Sequence, residues 1–254
     1  MVMEPAHVPR LRLGDGQTGK TLALTVRGSP ADMPVILEGT RLHLPHTVAL
    51  SPELLATELD LLDGGVEQRS GPTVLYWNAN KPLAKVRWFN TRPPKVTNMS
   101  ARHLLRELSA SAAAEAWERV LPQVDGPSAR CDARDWFYYS APNQTRAVQL
   151  ARSHLDVAAL EEAVLATGKD LKVHSVNMWL GGAGVVSSAH YDASANVFAQ
   201  IHGRKRFLLS SPLAADALEP FSFLHPHFRR TQMTEEGALE RGADPSWFAQ
   251  AILD

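Results

Sequence analysis

Two histidine–aspartate pairs, each with one residue between the partners, are the groups of this sequence best suited to holding a metal ion. They are His154-Leu-Asp156 and His190-Tyr-Asp192. Imidazole and carboxylate groups together form iron(II) sites of two histidines and one carboxylate, which leave coordination positions open for substrate and oxygen. Ten histidines and 27 acidic residues in a chain of 254 produce roughly one such pair by chance. The sequence around each pair must therefore indicate whether the pair could bind a metal ion or arose by chance.

The settings of the two pairs predict different roles. The first pair lies at the start of a predicted helix over Ser153–Thr167, where its aspartate falls in the first turn and suits the helix N-terminus. Side chains two residues apart on a helix point about 200° apart, so this pair is expected to be structural. The second pair lies in extended, glycine-flanked sequence. Side chains two residues apart on a strand share a face, so His190 and Asp192 could bind one metal ion. The alternative is an edge histidine beside a surface aspartate.

Strand periodicity after the second pair places a lysine on an apolar face. Gly203 turns the chain, and Lys205, Phe207 and Leu209 then alternate along one face of the next strand. A cation that points into an apolar layer requires an anionic partner. The alternative is an exposed hairpin whose solvated basic tip is Arg204–Arg206.

The segment that carries these groups runs from Trp179 to Arg206 and reads W-L-G-G-A-G-V-V-S-S-A-H-Y-D-A-S-A-N-V-F-A-Q-I-H-G-R-K-R. It resembles the JmjC / cupin-like oxygenases that use Fe(II) and 2-oxoglutarate, and most closely the branch of the asparaginyl hydroxylase that inhibits hypoxia-inducible factor. The pattern of that family is W-x-G-x-x-G-x-x-S/T-x-x-H-x-D-x-x-x-N-x-x-x-Q-x-x-G-x-K-R, and nearly every fixed position is matched. A weaker resemblance extends back through Tyr138 to Pro34 and forward over residues 221–232, and so covers most of the chain.

The resemblance implies a role for each matched residue. His190 and Asp192 correspond to the first two iron ligands. Lys205 corresponds to the lysine that pairs with the distal carboxylate of 2-oxoglutarate. Three further positions correspond to cosubstrate-binding groups, namely the Ser187 hydroxyl, the Asn196 amide and the Tyr138 hydroxyl. The nearby His225-Pro-His227 falls in a loop that supplies no iron ligand in the family.

The sequence departs from the family pattern at the third iron ligand. That ligand is a histidine in a segment resembling G-D-x-x-x-x-P-x-x-W-x-H, which is not found before Asp254. We therefore expect a double-stranded β-helix, the cupin-like jelly roll, with the C-terminal half of the barrel missing. Two explanations stay open: a piece of a longer oxygenase, which the intact upstream motif favours, or a variant that has lost the site. In either case the 254-residue chain alone is expected to be inactive.

The resemblance implies hydroxylation of a polypeptide side chain, with Fe(II) as the metal and 2-oxoglutarate as the cosubstrate. A modified tRNA base or a methylated histone lysine, and with the latter a demethylation, are alternatives within the wider family. A non-catalytic cupin-like interaction module is the alternative from another functional class. A homodimer also stays open, because a second copy could supply the missing histidine.

The composition indicates which partners, cysteine-based sites and cellular compartments are compatible with the sequence. The formal net charge is -1, from 26 basic and 27 acidic residues, which argues against strong nucleic-acid affinity. Cys131 is the single cysteine, so internal disulfides and cysteine-built zinc sites are excluded. The sequence has neither a run of about 18 apolar residues nor an apolar signal segment at its start. It therefore predicts no membrane association and a cytoplasmic or nuclear protein.

The elements that must position these groups predict an α+β fold with a mainly β core. Helices are expected after Ser51, after Ser100 with a continuation over residues 112–121, and from Ser153. Strands are expected over 21–26, 34–38, 73–77, 86–89, 136–139, 173–180, 188–190, 197–201 and 206–209. The predicted division is a loose lead-in over 1–30, a mixed helix and strand region over 31–170 and the cupin-like core over 171–254. Trp179 and Trp247 are predicted to be core residues.

Overall fold

The computed structural model describes residues 6–7, 10–12, 20–25, 35–40, 44, 47, 50–74, 78, 80–86, 94–111, 135–165, 172–192 and 194–253. Cys131, the continuation of the second helix over 112–121 and the strand residues 75–77 and 87–89 lie outside them. The helices are α1 (Pro52–Glu58), α2 (Ala101–Ser111), α3 (Arg146–His154), α4 (Val157–Leu165), α5 (Ala215–Leu218) and α6 (Glu235–Glu240). Within the described residues, no helix is long and apolar enough to cross a membrane.

Thirteen described strands complete the secondary structure. They are β1 (Ala6–His7), β2 (Arg10–Arg12), β3 (Lys20–Thr25), β4 (Val35–Thr40), β5 (Val66–Arg69), β6 (Thr73–Val74), β7 (Lys95–Thr97), β8 (Trp136–Ala141), β9 (Met178–Gly181), β10 (Val186–Ser187), β11 (Asn196–Ala199), β12 (Lys205–Ser210) and β13 (Phe248–Leu253). Short 3-10 helices lie at Pro82–Lys85, Pro212–Ala214 and Pro245–Trp247.

Hydroxyl caps start the first two helices, as the sequence predicts. Ser51 has extended backbone angles, and its side chain accepts a hydrogen bond from the Leu54 backbone N–H at 3.3 Å. The Ser100 hydroxyl accepts from the His103 N–H at 3.1 Å in the same way. Each hydroxyl satisfies one of the N–H groups that the first helical turn leaves unpaired. The α1 helix ends at Glu58, before the glycines at which the sequence predicts its end.

The single helix predicted over Ser153–Thr167 is wrong, because two helices meet within it. The α3 helix already begins at Arg146, capped by Thr145, and ends at His154. Asp156 then caps α4, with its Oδ1 accepting a hydrogen bond from the Ala159 N–H at 3.0 Å. A short carboxylate side chain competes for backbone N–H groups, so it favours a helix start over a helix interior. The aspartate of the first pair therefore has a structural partner.

The described strands form four sheets. Their strand orders are β11-β3-β4-β2, β7-β5-β8-β9, β1-β13-β12 and β10-β6. Most neighbouring strands are antiparallel, and the parallel pairs are β1 with β13, β2 with β4, and β6 with β10. The longest ladder joins β12 to β13 and places Lys205 opposite Leu253.

Strands from the first 30 residues are integrated into these sheets, where the sequence suggests a loose lead-in. The β3 strand pairs with both β4 and β11, and β1 pairs with β13. Two sheets therefore combine strands from opposite ends of the chain, across the predicted division at residue 171. Such long-range pairings leave no local signal in the sequence, since they depend on which apolar faces meet in the folded protein.

Two apolar clusters frame the segment of interest. The larger one packs helices α1 to α3 against β5, β8 and β9, with Leu55, Leu104 and Tyr139 buried at its centre. The smaller one is formed by the inward residues of β13, which are Ala249, Ala251 and Leu253, against Phe198, Phe207 and Leu209. Phe207 and Leu209 of β12 thus face the core as their alternation predicts, and Lys205 begins the same face.

Candidate functional site

The second histidine–aspartate pair lies on a connection between two strands. The β10 strand ends at Ser187 and β11 begins at Asn196, so the strand expected over 188–190 is wrong in its position. Among the described residues, the ladder between β10 and β6 pairs Val186 with Thr73 and Ser187 with Val74. Within this connection, His190 forms an isolated antiparallel bridge with Arg230. Both side chains of the pair are exposed.

The orientation of the His190 ring follows from one hydrogen bond. Its Nδ1 lies 2.7 Å from the backbone carbonyl oxygen of Ser188. A carbonyl oxygen can accept but not donate, so Nδ1 must carry the proton and act as the donor. In the neutral ring Nε2 then has a free electron pair, which is the form that binds a metal ion.

Asp192 is held by Asn196, a residue that the family resemblance assigns to cosubstrate binding. The side-chain amide of Asn196 donates a hydrogen bond from Nδ2 to Asp192 Oδ2 at 2.6 Å. A charge-assisted bond of this length restricts the rotation of the carboxylate. Asn196 therefore acts on the carboxylate of the pair in this structure, while its contact with a cosubstrate stays a prediction.

Lys205, the first residue of β12, lies among aromatic rings. Its Nζ is 4.5 Å from the ring centroid of Phe198 and 5.1 Å from that of Phe207. The two rings meet edge to face, with 4.9 Å between their centroids. Within the described part of the chain no acidic side chain pairs with this ammonium group, and burial lowers the pKa of Lys205. The ring faces offset part of the desolvation of the charge but supply no anion.

One tryptophan extends the aromatic layer. Trp179 stacks on Phe198 with ring centroids 5.9 Å apart and planes inclined by 20°. It is 43% exposed, so the expectation that Trp179 is a core residue is wrong. Its strand β9 lies at the edge of the described sheet. Trp247, in contrast, packs against the cluster around Phe248.

The two hydroxyl groups implied in cosubstrate binding lie on different strands. Ser187 ends β10 and is exposed. Tyr138 lies on β8, half-buried, with its ring over Gly181, where a Cβ atom would come within 3.3 Å of the ring. Burial, with a smaller effect of Glu67, raises the pKa of Tyr138 to about 12. Its hydroxyl is therefore a protonated donor at neutral pH.

An arginine that sequence reasoning missed is the most buried charge beside the pair. Arg230 is only 4% exposed, and its Nη1 donates hydrogen bonds to the carbonyl oxygen, at 3.0 Å, and to the hydroxyl of Ser188. Burial, followed by repulsion from Arg69, lowers the pKa of Arg230 to about 10. The sequence offers no signal for this role, because Arg230 and Ser188 meet only through long-range folding.

The His225-Pro-His227 segment forms an aromatic cluster. The His225 ring stacks on Phe221 at 4.3 Å and lies 5.4 Å from the His227 ring. In the part of the chain that the structure describes, no group of three or more His, Cys, Asp or Glu side chains could hold a metal ion. His190 and Asp192 thus provide an imidazole and a carboxylate, and these described residues add no third ligand to them.

Comparison with known proteins identifies the domain. The sequence model of the family described as "cupin-like domain" matches residues 30–248, which is most of the chain. Over 45 residues the chain is 44% identical to Jumonji C domain-containing protein 5 of Drosophila melanogaster. That similarity covers 18% of this chain and 11% of the relative's length.

Proposed function

The chain belongs to the cupin-like domain family, and from that premise we propose that it is an Fe(II)- and 2-oxoglutarate-dependent oxygenase that hydroxylates a polypeptide side chain. One observation supports this above the others. Lys205 is a half-buried cation among aromatic rings, it has no acidic partner among the described residues, and it follows the His190–Asp192 pair on the next strand but one. An arrangement of this kind suits a dicarboxylate that reaches from a metal ion to an ammonium group.

In this proposal His190 and Asp192 hold the metal ion. The Nδ1 bond to Ser188 leaves the His190 Nε2 as its donor atom, and Asn196 orients the carboxylate of Asp192. When bound, iron(II) supplies the oxygen-activating chemistry that couples decarboxylation of 2-oxoglutarate to hydroxylation. Oxygen-dependent succinate formation is expected only when a third ligand completes the site, because the described residues do not supply one.

The remaining residues bind the cosubstrate in this proposal. Lys205 pairs with the distal carboxylate of 2-oxoglutarate, and the hydroxyl groups of Ser187 and Tyr138 donate hydrogen bonds to it. The raised pKa of Tyr138 supports a neutral donor there. A double-stranded β-helix of jelly-roll type is the fold we propose for this core, and the two four-stranded sheets are compatible with it.

The exposure of the pair supports a large substrate. His190, Tyr191 and Asp192 all lie at the surface, so a side chain of another polypeptide can reach them without an internal channel. The near-neutral net charge makes a tRNA a less favourable substrate. Assignment to the asparaginyl hydroxylase branch remains a finer prediction that rests on the sequence pattern.

Binding of Mn(II), a redox-stable substitute for Fe(II), tests the proposal on the purified chain. The concentration of free Mn(II) is followed by electron paramagnetic resonance, with and without 2-oxoglutarate. We expect weak Mn(II) binding that 2-oxoglutarate strengthens, because a 2-oxo acid adds its own oxygen donors. His190→Ala should lose this binding, while His154→Ala, which removes the histidine of the other pair, should retain it. Equal binding by both variants would contradict the assignment.

A non-catalytic interaction module is the second candidate function. The absence of a third acidic, histidine or cysteine ligand from the described residues around the pair is the observation that favours it. Such a module would bind neither Mn(II) nor 2-oxoglutarate, and His190→Ala would then match the wild-type chain in both titrations. The experiment described above therefore also separates the two functions.

A further inference from the structure

A strand-like contact links the metal-binding segment to a distant loop. The Tyr191 N–H donates to the carbonyl oxygen of Arg229 at 2.9 Å, and the Thr231 N–H donates to that of Ala189 at 3.1 Å. His190 and Arg230 are directly opposite in this antiparallel bridge. Directly opposite residues project to the same side of such a pair, so the arginine and histidine side chains share one side.

Both side chains use the same acceptor. The Ser188 carbonyl oxygen accepts from the Nη1 of Arg230 at 3.0 Å and from the Nδ1 of His190 at 2.7 Å. A carbonyl oxygen has two lone pairs, so it can accept both bonds at once. The Ser188 hydroxyl is a further acceptor for Arg230 Nη1. Arg230 thus holds Ser188, whose carbonyl oxygen accepts the hydrogen bond from the His190 ring.

The arginine occupies this position at an energetic disadvantage. Its side chain is buried, its Nε has no hydrogen-bond partner, and no carboxylate of the described residues lies within ion-pair distance. Burying a charge without a paired opposite charge is unfavourable. The backbone before it is also unusual, since Arg229 has a φ of 73°, a left-handed conformation that is uncommon outside glycine. The polar contacts to Ser188 and the attraction of the Glu67 carboxylate offset part of this cost.

We propose that Arg230 is a positioning residue for the metal-binding imidazole. It holds the Ser188 carbonyl oxygen in place, and that oxygen holds the proton on His190 Nδ1 and leaves Nε2 as the metal donor. This inference rests on the proposed role of His190 as a ligand. The Ser188 carbonyl oxygen that Arg230 holds is the direct partner of the ligand, and disturbing such a partner typically changes metal affinity about 10–100-fold.

The position of the proton on His190 can be read without any metal. In the metal-free protein, labelled with nitrogen-15 in its histidines, two-bond proton–nitrogen spectra distinguish the Nδ1–H from the Nε2–H form, and His190→Ala assigns the signal. We expect the wild-type ring to be in the Nδ1–H form. Arg230→Met should give a mixture of both forms. Arg229→Met is the matched control, because it removes the same charge from the neighbouring residue. The Arg229 guanidinium lies 5.1 Å from the centroid of the Phe228 ring.

Metal affinity provides the second readout. Arg230→Met should weaken Mn(II) binding about 10–100-fold, and Arg229→Met should not change it. Arg230→Lys should fall between them, since one ammonium group on a shorter stem cannot reproduce the contacts of the guanidinium. Circular dichroism shows which variants fold, and the lysine variant decides the outcome if the methionine variant does not.

Wild-type proton position and wild-type affinity in a folded Arg230 variant would overturn the inference. The failure of the proposed function looks different. In that case the wild-type chain binds no Mn(II), and the proton position of His190 still reports whether Arg230 orients the ring.

Discussion

Replacing Lys205 with methionine should raise the free energy of unfolding of the metal-free protein and lower its affinity for 2-oxoglutarate. Methionine is similar in length, and it keeps the contacts with the rings of Phe198 and Phe207 while removing the charge. The two effects have the same origin. The described residues give the ammonium group no acidic partner, so its burial is unfavourable until an anion arrives.

The size of the binding effect follows from the burial of the site. Removal of one partner of a buried ion pair costs about 3–5 kcal/mol. Lys205 is only half-buried, so the lower end of that range applies. A loss of about 3 kcal/mol corresponds to about 150-fold weaker binding of 2-oxoglutarate.

The stability effect has a defined dependence on pH. Burial lowers the pKa of Lys205 below its ordinary value of 10.5, so the unfolded chain binds this proton more tightly than the folded protein does. The free energy of unfolding is therefore reduced at neutral pH and recovers as the pH rises from the folded-state pKa towards 10.5. The stabilisation by Lys205→Met should be largest at neutral pH and should disappear above 10.5.

Two measurements test this prediction on the same samples. Calorimetric titration with 2-oxoglutarate in the presence of Mn(II) gives the affinity, and thermal unfolding at neutral and alkaline pH gives the stability. Arg204→Met is the control, because it removes an equal charge from the exposed neighbouring position. Unchanged affinity for 2-oxoglutarate in Lys205→Met, with the control equal to wild type, would refute the assignment of Lys205 to the cosubstrate.

Three further substitutions separate structural from chemical roles. Asp156→Ala should lower the free energy of unfolding by about 1 kcal/mol in thermal melts, through loss of the cap on Ala159, and leave Mn(II) affinity unchanged. Asn196→Ala should weaken Mn(II) binding less than Asp192→Ala does, since it frees the carboxylate without removing it, and equal losses would contradict this order. Tyr138→Phe should remove an ultraviolet phenolate transition with a midpoint of about 12. It should also flatten the loss of stability between pH 10.0 and about 12, because in that range the folded protein binds the phenol proton more tightly than the unfolded chain does. A wild-type alkaline profile in that variant would show that another tyrosine is responsible.

Local signals in the sequence predicted local structure. Ser51 and Ser100 begin helices because a hydroxyl group satisfies the first free N–H groups, and this depends only on neighbouring residues. The same reasoning failed at Ser153, where Asp156 competes as the stronger start signal and a helix already present ends. The inward alternation of β12 was predicted because one buried face leaves a period of two in the sequence.

Long-range contacts escaped prediction for a physical reason. The pairing of β3 with β11, and of β1 with β13, joins segments that are far apart in the chain. Neither strand carries information about its partner, because any suitable apolar strand could occupy that place. The stack of Trp179 on Phe198 and the bond from Arg230 to Ser188 also join residues that are distant in the chain, and they could not be predicted before the fold was known.

The described residues on either side of the His190–Asp192 pair restrain it through side-chain hydrogen bonds. The sequence prediction relied on strand geometry to bring His190 and Asp192 to one face, yet the two lie between β10 and β11, where the described residues form only an isolated bridge. Side chains at both ends take over this task. Arg230 acts on the histidine through Ser188, and Asn196 acts on the aspartate directly. A connection restrained in this way can adjust when a metal ion and its remaining ligands bind, because breaking a side-chain hydrogen bond costs only about 0.5–1.5 kcal/mol.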